Sequence, residues 1–419
     1  MTLVETIDRA VDDLAVQTTE MIQELVRIPS ITGDETAAQG FVAGVLRDLG
    51  FSVDQWNPTR EDLQDHRSFS DDGLPLGDRP VVVGRWGGTP GGGSVILNGH
   101  IDVVPPGREE DFPHGPWQGE VHDDVLWGRG ACDMKAGLIA GILAVAALQR
   151  AGLTPAPEVI VESVIGEESG GVGTLATVVR GYRADAAVVL EPTRLQMCPV
   201  GCGSCSFRLH VPGRAAHGAM REEGVSALDN LWPLHRALVA FEAERHHGFT
   251  HPLYPDDRLA APLSIGTVQA GDWPSTVPEA LVAEGRYGIF PGEDLDIARA
   301  AFEQVVMSAA ATDPWLAEHP PTVEWFEGQF ESAVTDLDSA LLAQLGDAHA
   351  EVRGAPTGVH GVSYGSDLRF FTNDAGMPAV LYGPGDVADA HTVNEHVQLT
   401  EVLDAAKTVA LMLMNWKTP

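Results

Sequence analysis

Residues 134–151 form an almost uninterrupted apolar run, Met-Lys-Ala-Gly-Leu-Ile-Ala-Gly-Ile-Leu-Ala-Val-Ala-Ala-Leu-Gln-Arg-Ala. At helical pitch such a run has no polar face, so the segment must be buried on every side. Its many Ala and Gly residues suit close packing on a sheet. β-rich apolar runs stand before and after it, at 94–104, 158–165 and 186–190. Strands alternating with helices predict an α/β domain with a largely parallel sheet.

The remaining patterns divide the chain. Apolar positions Ile7, Val11, Leu14, Met21 and Leu25 predict one helix over 5–27, ending before Pro29. A second helix is expected over 36–49, stopped by Gly50. Residues 57–93, rich in Gly and Pro, read as loop with one edge strand at 80–86. Past 205 the pattern changes to strand 206–211, helix 226–245, strands 263–270 and 279–290, helix 295–312 and strand 322–330. That order, β-α-β-β-α-β, is a ferredoxin-like α+β unit. Helices at 336–349 and 400–416, with a strand at 379–382, resume the α/β pattern. The expected plan is a catalytic domain in two parts, 1–205 and 332–419, with an inserted domain at 206–331.

Charge narrows the partners. Asp and Glu number 60 against 26 Lys and Arg, a net charge of −34. Such a chain repels phosphate backbones and anionic membranes, so neither nucleic acid nor membrane is an expected partner. The first residues lack the basic and apolar segments of a secretory signal, and no run reads as a membrane span, so a soluble, cytoplasmic protein is expected. Four cysteines, Cys132, Cys198, Cys202 and Cys205, are too few for a disulfide scaffold. The last three could suggest a soft-metal site, but they lack a nearby fourth ligand and read as structural.

Histidines and acids cluster where the predicted strands end, the edge at which open α/β sheets place ligands. His100 and Asp102 follow 95–97, Asp133 precedes the apolar helix, Glu167 and Glu168 follow 159–165, Glu191 follows 187–190, and His391 follows 379–382. Singly, each has an ordinary explanation: a helix cap for Asp133, solvated surface for the Glu pair, a loop histidine for His391. Their recurrence on successive strand ends points instead to a metal centre. Two imidazoles and several carboxylates suit zinc, cobalt or manganese. Two divalent cations carry +4, and three carboxylates with a bridging hydroxide carry −4, so a dinuclear first shell can be neutral. Asp102, two residues after His100 in an extended segment, is placed to accept the far ring N–H. A carboxylate beside the metals can take a proton from a metal-activated water.

The segments Gly99-His-Ile-Asp102, Gly128-Arg-Gly-Ala-Cys-Asp-Met-Lys-Ala-Gly137, Gly166-Glu-Glu168, Leu190-Glu-Pro-Thr193 and Ala390-His391 occur in this order. Together they resemble the acetylornithine deacetylase / succinyl-diaminopimelate desuccinylase / carboxypeptidase G2 family of metallohydrolases. The likeness runs from Leu25-Val-Arg-Ile-Pro-Ser30 to Asn394-Glu-His-Val397. It implies a zinc-exopeptidase-like (phosphorylase/hydrolase-like) α/β catalytic domain with an inserted ferredoxin-like lid that often dimerises. It also implies two divalent metal ions, most simply zinc, with cobalt or manganese as alternatives. His100 and Glu191 would bind one metal, Glu168 and His391 the other, and Asp133 would bridge them. Asp102 would orient His100, and Glu167 would be the general base.

In the lid, Gly213-Arg-Ala-Ala-His217 resembles the segment whose histidine stabilises the oxyanion. Gly271-Asp-Trp-Pro-Ser-Thr-Val-Pro278, with Thr276, resembles a substrate-binding turn, and Arg286 a carboxylate-binding arginine. Tyr364-Gly-Ser-Asp-Leu-Arg369 resembles a loop that cradles the same carboxylate through Gly365 and Ser366. Arg369 reads equally as a substrate group or as a buried partner of Asp367. The chain departs from the family pattern at Thr276, where many relatives have Asn, and at Gly285. Both departures bear on substrate rather than on reaction.

The expected activity is hydrolysis of the amide bond of a small N-acyl amino acid by a metal-bound hydroxide, in a homodimer joined through the lid. A dipeptidase or carboxypeptidase is the alternative within the family. A non-catalytic metal-binding homologue and a phosphatase-type two-metal enzyme are the alternatives outside it.

Overall fold

The computed structural model describes residues 1–254 and 259–418 and divides the chain into two units. Unit one comprises 1–200, 334–360 and 366–419, and unit two comprises 201–333 and 361–365. These boundaries differ from the expected 205/206 and 331/332. The strand Gly203–Pro212 is paired along its whole length with Ala280–Ile289, so the second unit begins before Ser206.

In unit one the sheet runs, in spatial order, Ser52–Trp56, Val81–Gly87, Glu158–Val164, Ser94–His100, Ala186–Val189, Ala379–Leu381 and Met197–Gly201. The central pairs are parallel: Ser94–His100 with both of its neighbours, and Ala186–Val189 with Ala379–Leu381. The outer pairs are antiparallel. The sheet is thus mixed, and 80–86 is not an edge, because Ser52–Trp56, unmarked by any alternation strong enough to read, pairs outside it.

The apolar helix Ala136–Arg150 provides the crossover from Ser94–His100 to Glu158–Val164, and nearly all its residues are buried. Together with the preceding turn, Ala131–Arg150 is long and apolar enough to cross a membrane, contrary to the expectation that no run is; its burial marks it as a core helix. Gly137 is required here, since a Cβ would stand 1.9 Å from the Leu190 carbonyl oxygen. The N-terminal helix divides into Leu3–Asp12 and Ala15–Val26, each with its own buried stripe. A short three-stranded sheet, His396–Gln398, Val125–Trp127 and Glu120–His122, completes this unit.

Unit two has the antiparallel sheet order Leu263–Ala270, Ala280–Ile289, Gly203–Pro212, Thr322–Phe330, with helices Ala227–His247 and Leu295–Ala310. This is the ferredoxin-like arrangement. Gly203–Pro212 alternates buried and half-buried positions, so one face carries the core. There Phe207, Tyr287 and Trp325 surround Phe302 at centroid distances of 4.7, 5.1 and 5.3 Å. Gly285 has a packing reason: a Cβ would lie 2.6 Å from Phe207 Cζ and 2.3 Å from the Ser264 carbonyl oxygen. All four cysteines are buried free thiols.

Beneath the central strands lies a buried polar network. Asn98 donates to Glu162 at 3.2 Å and to Thr174 at 3.1 Å, Thr177 donates to Glu162 at 3.2 Å, and Thr174 donates to Asp367 at 2.5 Å. Glu162 Oε1 has no hydrogen-bond partner among the described residues. Burial pushes the Glu162 carboxyl up to about 7, against the partly offsetting bonds from Asn98 and Thr177. The folded state therefore holds this proton more tightly than the unfolded chain, and stability falls as pH rises from the ordinary glutamate value through 7. Glu162→Gln should remove that component. Urea titrations at pH 5 and pH 8 should show the variant gaining stability relative to wild type as pH rises; a constant difference would contradict the assignment.

Candidate metal centre

The register of the parallel strands brings the ligands to one level. His100 lies beside Val164, and Asn98 beside Val189, so His100, the Glu167–Glu168 turn and Glu191 leave adjacent strands at the same end. Asp133 comes from the irregular turn Ala131–Lys135, where its backbone is non-helical and the Asp133–Met134 peptide is cis. His391 enters from the loop after Ala379–Leu381 with φ of 61°, a left-handed conformation that histidine tolerates better than branched residues.

Asp133 stands between the two imidazoles. Its Oδ1 is 3.0 Å from His100 Nε2, and its Oδ2 is 3.4 Å from His391 Nε2. Glu191 Oε1 lies 3.9 Å from His100 Nε2, and Glu168 Oε1 lies 3.1 Å from His391 Nε2. The result is two ligand groups, His100 with Glu191 and His391 with Glu168, that share one carboxylate. Ligand atoms of His100, Asp133 and Glu168 fall within 4.8 Å of one another.

Asp102 acts differently from the sequence expectation. His100 Nδ1 is 2.9 Å from the backbone carbonyl of Asp102, while the nearer carboxylate oxygen is 3.7 Å away. The strand ends at His100, so the extended i, i+2 geometry does not continue to Asp102. The carboxylate instead accepts the backbone N–H groups of Glu167 at 3.1 Å and Glu168 at 3.3 Å, and the Thr32 hydroxyl at 3.0 Å. It therefore fixes the turn that presents the two glutamates.

The electrostatics are those of a cation site. Burial pushes the Glu167 carboxyl well up against the partly offsetting charge of His100, burial and then Asp133 push Glu191 well up, and Glu168 is raised by burial and by Asp133. Burial would also raise Asp133, but hydrogen bonds with His100 and His391 overcome it and hold the group low. Burial alone would lower His100; the Asp133 bond and the nearby carboxylates hold it well above its usual value. Bonds to Asp133 and Glu168 bring His391 up to about 10. Several buried carboxylates crowd against two imidazoles, an arrangement that divalent cations would relieve. Two nitrogen donors and three carboxylates fit zinc, cobalt or manganese.

Three supporting residues were missed in the sequence, although they lie inside the motifs that carry the resemblance. Glu395, buried, accepts the N–H groups of Cys132 and Asp133 at 3.2 Å each and pairs with buried Arg129. Lys135, also buried, donates to the Leu25 and Ile28 carbonyls at 3.0 Å each, and burial lowers its ammonium to about 7. Their only sequence signal is charge within apolar surroundings.

In unit two, His217 Nδ1 accepts the Ala219 N–H at 3.1 Å, and His217 forms an isolated β-bridge with Thr276. Thr276 also lines a cavity of about 280 Å³ with Ala215, Gly271 and Asp272. Arg286 donates to the Pro262 carbonyl at 3.3 Å and the Ser363 carbonyl at 2.7 Å, which brings it to the 361–365 segment. In that segment a Cβ on Gly365 would stand 2.3 Å from Phe330 Cβ. Ser366 is buried in unit one. Arg369 is 1% exposed, donates to the Gly170 carbonyl at 2.7 Å and stacks over Phe370 at 4.0 Å. Of the two readings of Arg369, burial favours the structural one: its guanidinium is enclosed in the core of unit one.

Because Glu395 holds the backbone of the shared ligand, Glu395→Gln should weaken metal binding by about 10–100-fold. Equilibrium dialysis of the variant against zinc checks this, and wild-type affinity would refute it.

The chain is 29% identical over 412 residues to an N-formyl-4-amino-5-aminomethyl-2-methylpyrimidine deformylase of Bacillus subtilis, covering 90% of this chain and 88% of that one. It is 35% identical over 231 residues to a succinyl-diaminopimelate desuccinylase of Methylorubrum extorquens, covering 52% and 56%. Its fold matches human carnosine dipeptidase 1 with a TM-score of 0.78 at 18% identity, over 99% and 98% of the two chains. The model of peptidase family M20/M25/M40 matches residues 96–415, a span that contains every candidate ligand of the centre, and the chain belongs to that family.

Proposed function

We propose that the chain hydrolyses the amide bond of a small N-acyl compound, with an N-acyl amino acid as the first candidate. The observation that carries this reading is the shared carboxylate Asp133 between two His–Glu pairs, with buried Glu167 beside them. His100, Glu191, Asp133, Glu168 and His391 would hold two divalent metal ions, with zinc first and cobalt or manganese as alternatives. Such ions supply a polarised acyl carbonyl and a more acidic water. Glu167 takes the proton from the attacking water and delivers it to the departing amine nitrogen. Asp102 keeps Glu167 and Glu168 in place through their backbone N–H groups. His217 is the proposed donor to the developing oxyanion, Thr276, Gly365 and Ser366 contribute to substrate binding, and Arg286 contacts a substrate carboxylate.

The substrate has a second reading. The deformylase resemblance spans nearly the whole chain, and it supports a small formylated amine lacking a carboxylate. Arg286 agrees with it, since Nη1 and Nη2 already serve backbone carbonyls. Dipeptide cleavage is the third reading, supported by fold likeness alone. The proposal also includes a homodimer joined through unit two, where Trp232, Trp273 and Ile297 are exposed. It includes a cytoplasmic location, which the four free thiols support.

A panel of N-formyl, N-acetyl and N-succinyl amines and amino acids, beside dipeptides, should show turnover of N-acyl compounds by the metal-loaded protein. Turnover of dipeptides alone would overturn the reading. Glu167→Ala should lower kcat by roughly 10²–10⁴-fold at near-normal metal content, the span typical of general acid–base catalysis. With a net charge of −34, added salt should also raise kcat/KM for a carboxylate substrate by screening repulsion; a fall with moderate salt would count against that.

A further inference from the structure

Apart from the centre described above, one other group of metal-ligating side chains converges among the described residues. Glu120 and His122 are two apart on the strand Glu120–His122 and so share a face, and His114 reaches them from the preceding loop. His114 Nδ1 lies 3.1 Å from Glu120 Oε2, and His122 Nε2 lies 2.8 Å from the same oxygen. The three residues offer ligand atoms within 4.8 Å of one another. Metal–ligand bonds of about 2.0–2.2 Å in tetrahedral geometry place ligand atoms roughly 3.3 Å apart. The two nitrogen–oxygen separations therefore need to open by only a few tenths of an ångström, and the two nitrogens already lie within 4.8 Å of each other.

The rings are also held in place. Trp127 lies opposite Glu120 across the hairpin, and its ring contacts those of His114 and His396 at centroid distances of 4.8 and 4.5 Å. The His114 and His122 rings lie 4.8 Å apart. Hydrogen bonds from His122 and His114 hold the Glu120 carboxyl below its usual range, so it is ionised at neutral pH. All three side chains reach solvent, which leaves room for water to complete the coordination.

We propose that His114, Glu120 and His122 bind one divalent transition-metal ion, at a site that shares no ligand with the catalytic centre. Two imidazoles and one carboxylate select a borderline ion such as zinc, nickel or copper(II) over magnesium or calcium. The ion ties the loop before Glu120 to the hairpin. It replaces hydrogen bonds in which two rings share a single oxygen.

The test is a count. Full-length wild type, His114→Ala, His122→Ala and Glu120→Gln are stripped with chelator, equilibrated with micromolar zinc and analysed for zinc per chain. Wild type should hold one zinc more than either histidine variant, and Glu120→Gln should hold that zinc at least tenfold more weakly. Equal zinc content in wild type and both histidine variants overturns the proposal. The comparison is a difference between proteins with the same catalytic residues, so it stands or falls independently of how many ions the catalytic centre binds. Glu120 and His122 are exposed and His114 is half-buried outside the core, so their replacement leaves the core intact, and far-ultraviolet circular dichroism confirms folding before the count.

Discussion

The structure of unit one depends on burying several like charges in one place. Asp133, Glu167, Glu168 and Glu191 meet at the end of a sheet whose interior is mostly Val, Ile, Leu and Ala. Carboxylates so close and so dry repel one another, and two imidazoles alone do not balance them. Asp133 sits low because both histidines bond to it, while the three glutamates are driven up. Divalent cations would relieve this repulsion.

Much of the surrounding architecture holds these charges at fixed positions. The parallel register sets the level of three ligand-bearing strand ends. The approach of helix Ala136–Arg150 to Leu190 requires Gly137, and that approach joins the Asp133 turn to the strand that presents Glu191. Asp102 spends its carboxylate on two backbone N–H groups, and Glu395 does the same for Cys132 and Asp133. Buried acids that fix backbone turns recur on both sides of the centre, and each needs its own partners: Thr32 for Asp102, Arg129 for Glu395.

The legible parts of the sequence were those with short-range causes. The apolar helix and the β-α-β-β-α-β order follow from periodicity. Most candidate ligands were readable because they stand at or just past a strand end or precede a helix; His391, ten residues beyond Ala379–Leu381, is the exception. Other features were not readable. The break between Leu3–Asp12 and Ala15–Val26 lies within a continuous apolar pattern. The strand Ser52–Trp56 has no buried face to produce alternation. Glu120 and His122 share a strand face, but His114 stands in the preceding loop, and only the folded chain brings it to them.

The sequence by itself determined the fold class and the family, and it singled out the candidate ligands that the structure brings together. These depend on residue type and spacing, which a strand or a helix start converts directly into position. Tertiary structure alone decided how the residues are used. Asp102 holds the glutamate turn because the chain bends after His100. Arg369 is enclosed because Gly170 and Phe370 close over it, and Gly285 is glycine because Phe207 occupies the space of a side chain. Each of these involves a contact between residues far apart in the chain, Asp102 with Glu167, Arg369 with Gly170 and Gly285 with Phe207, which residue spacing does not reveal.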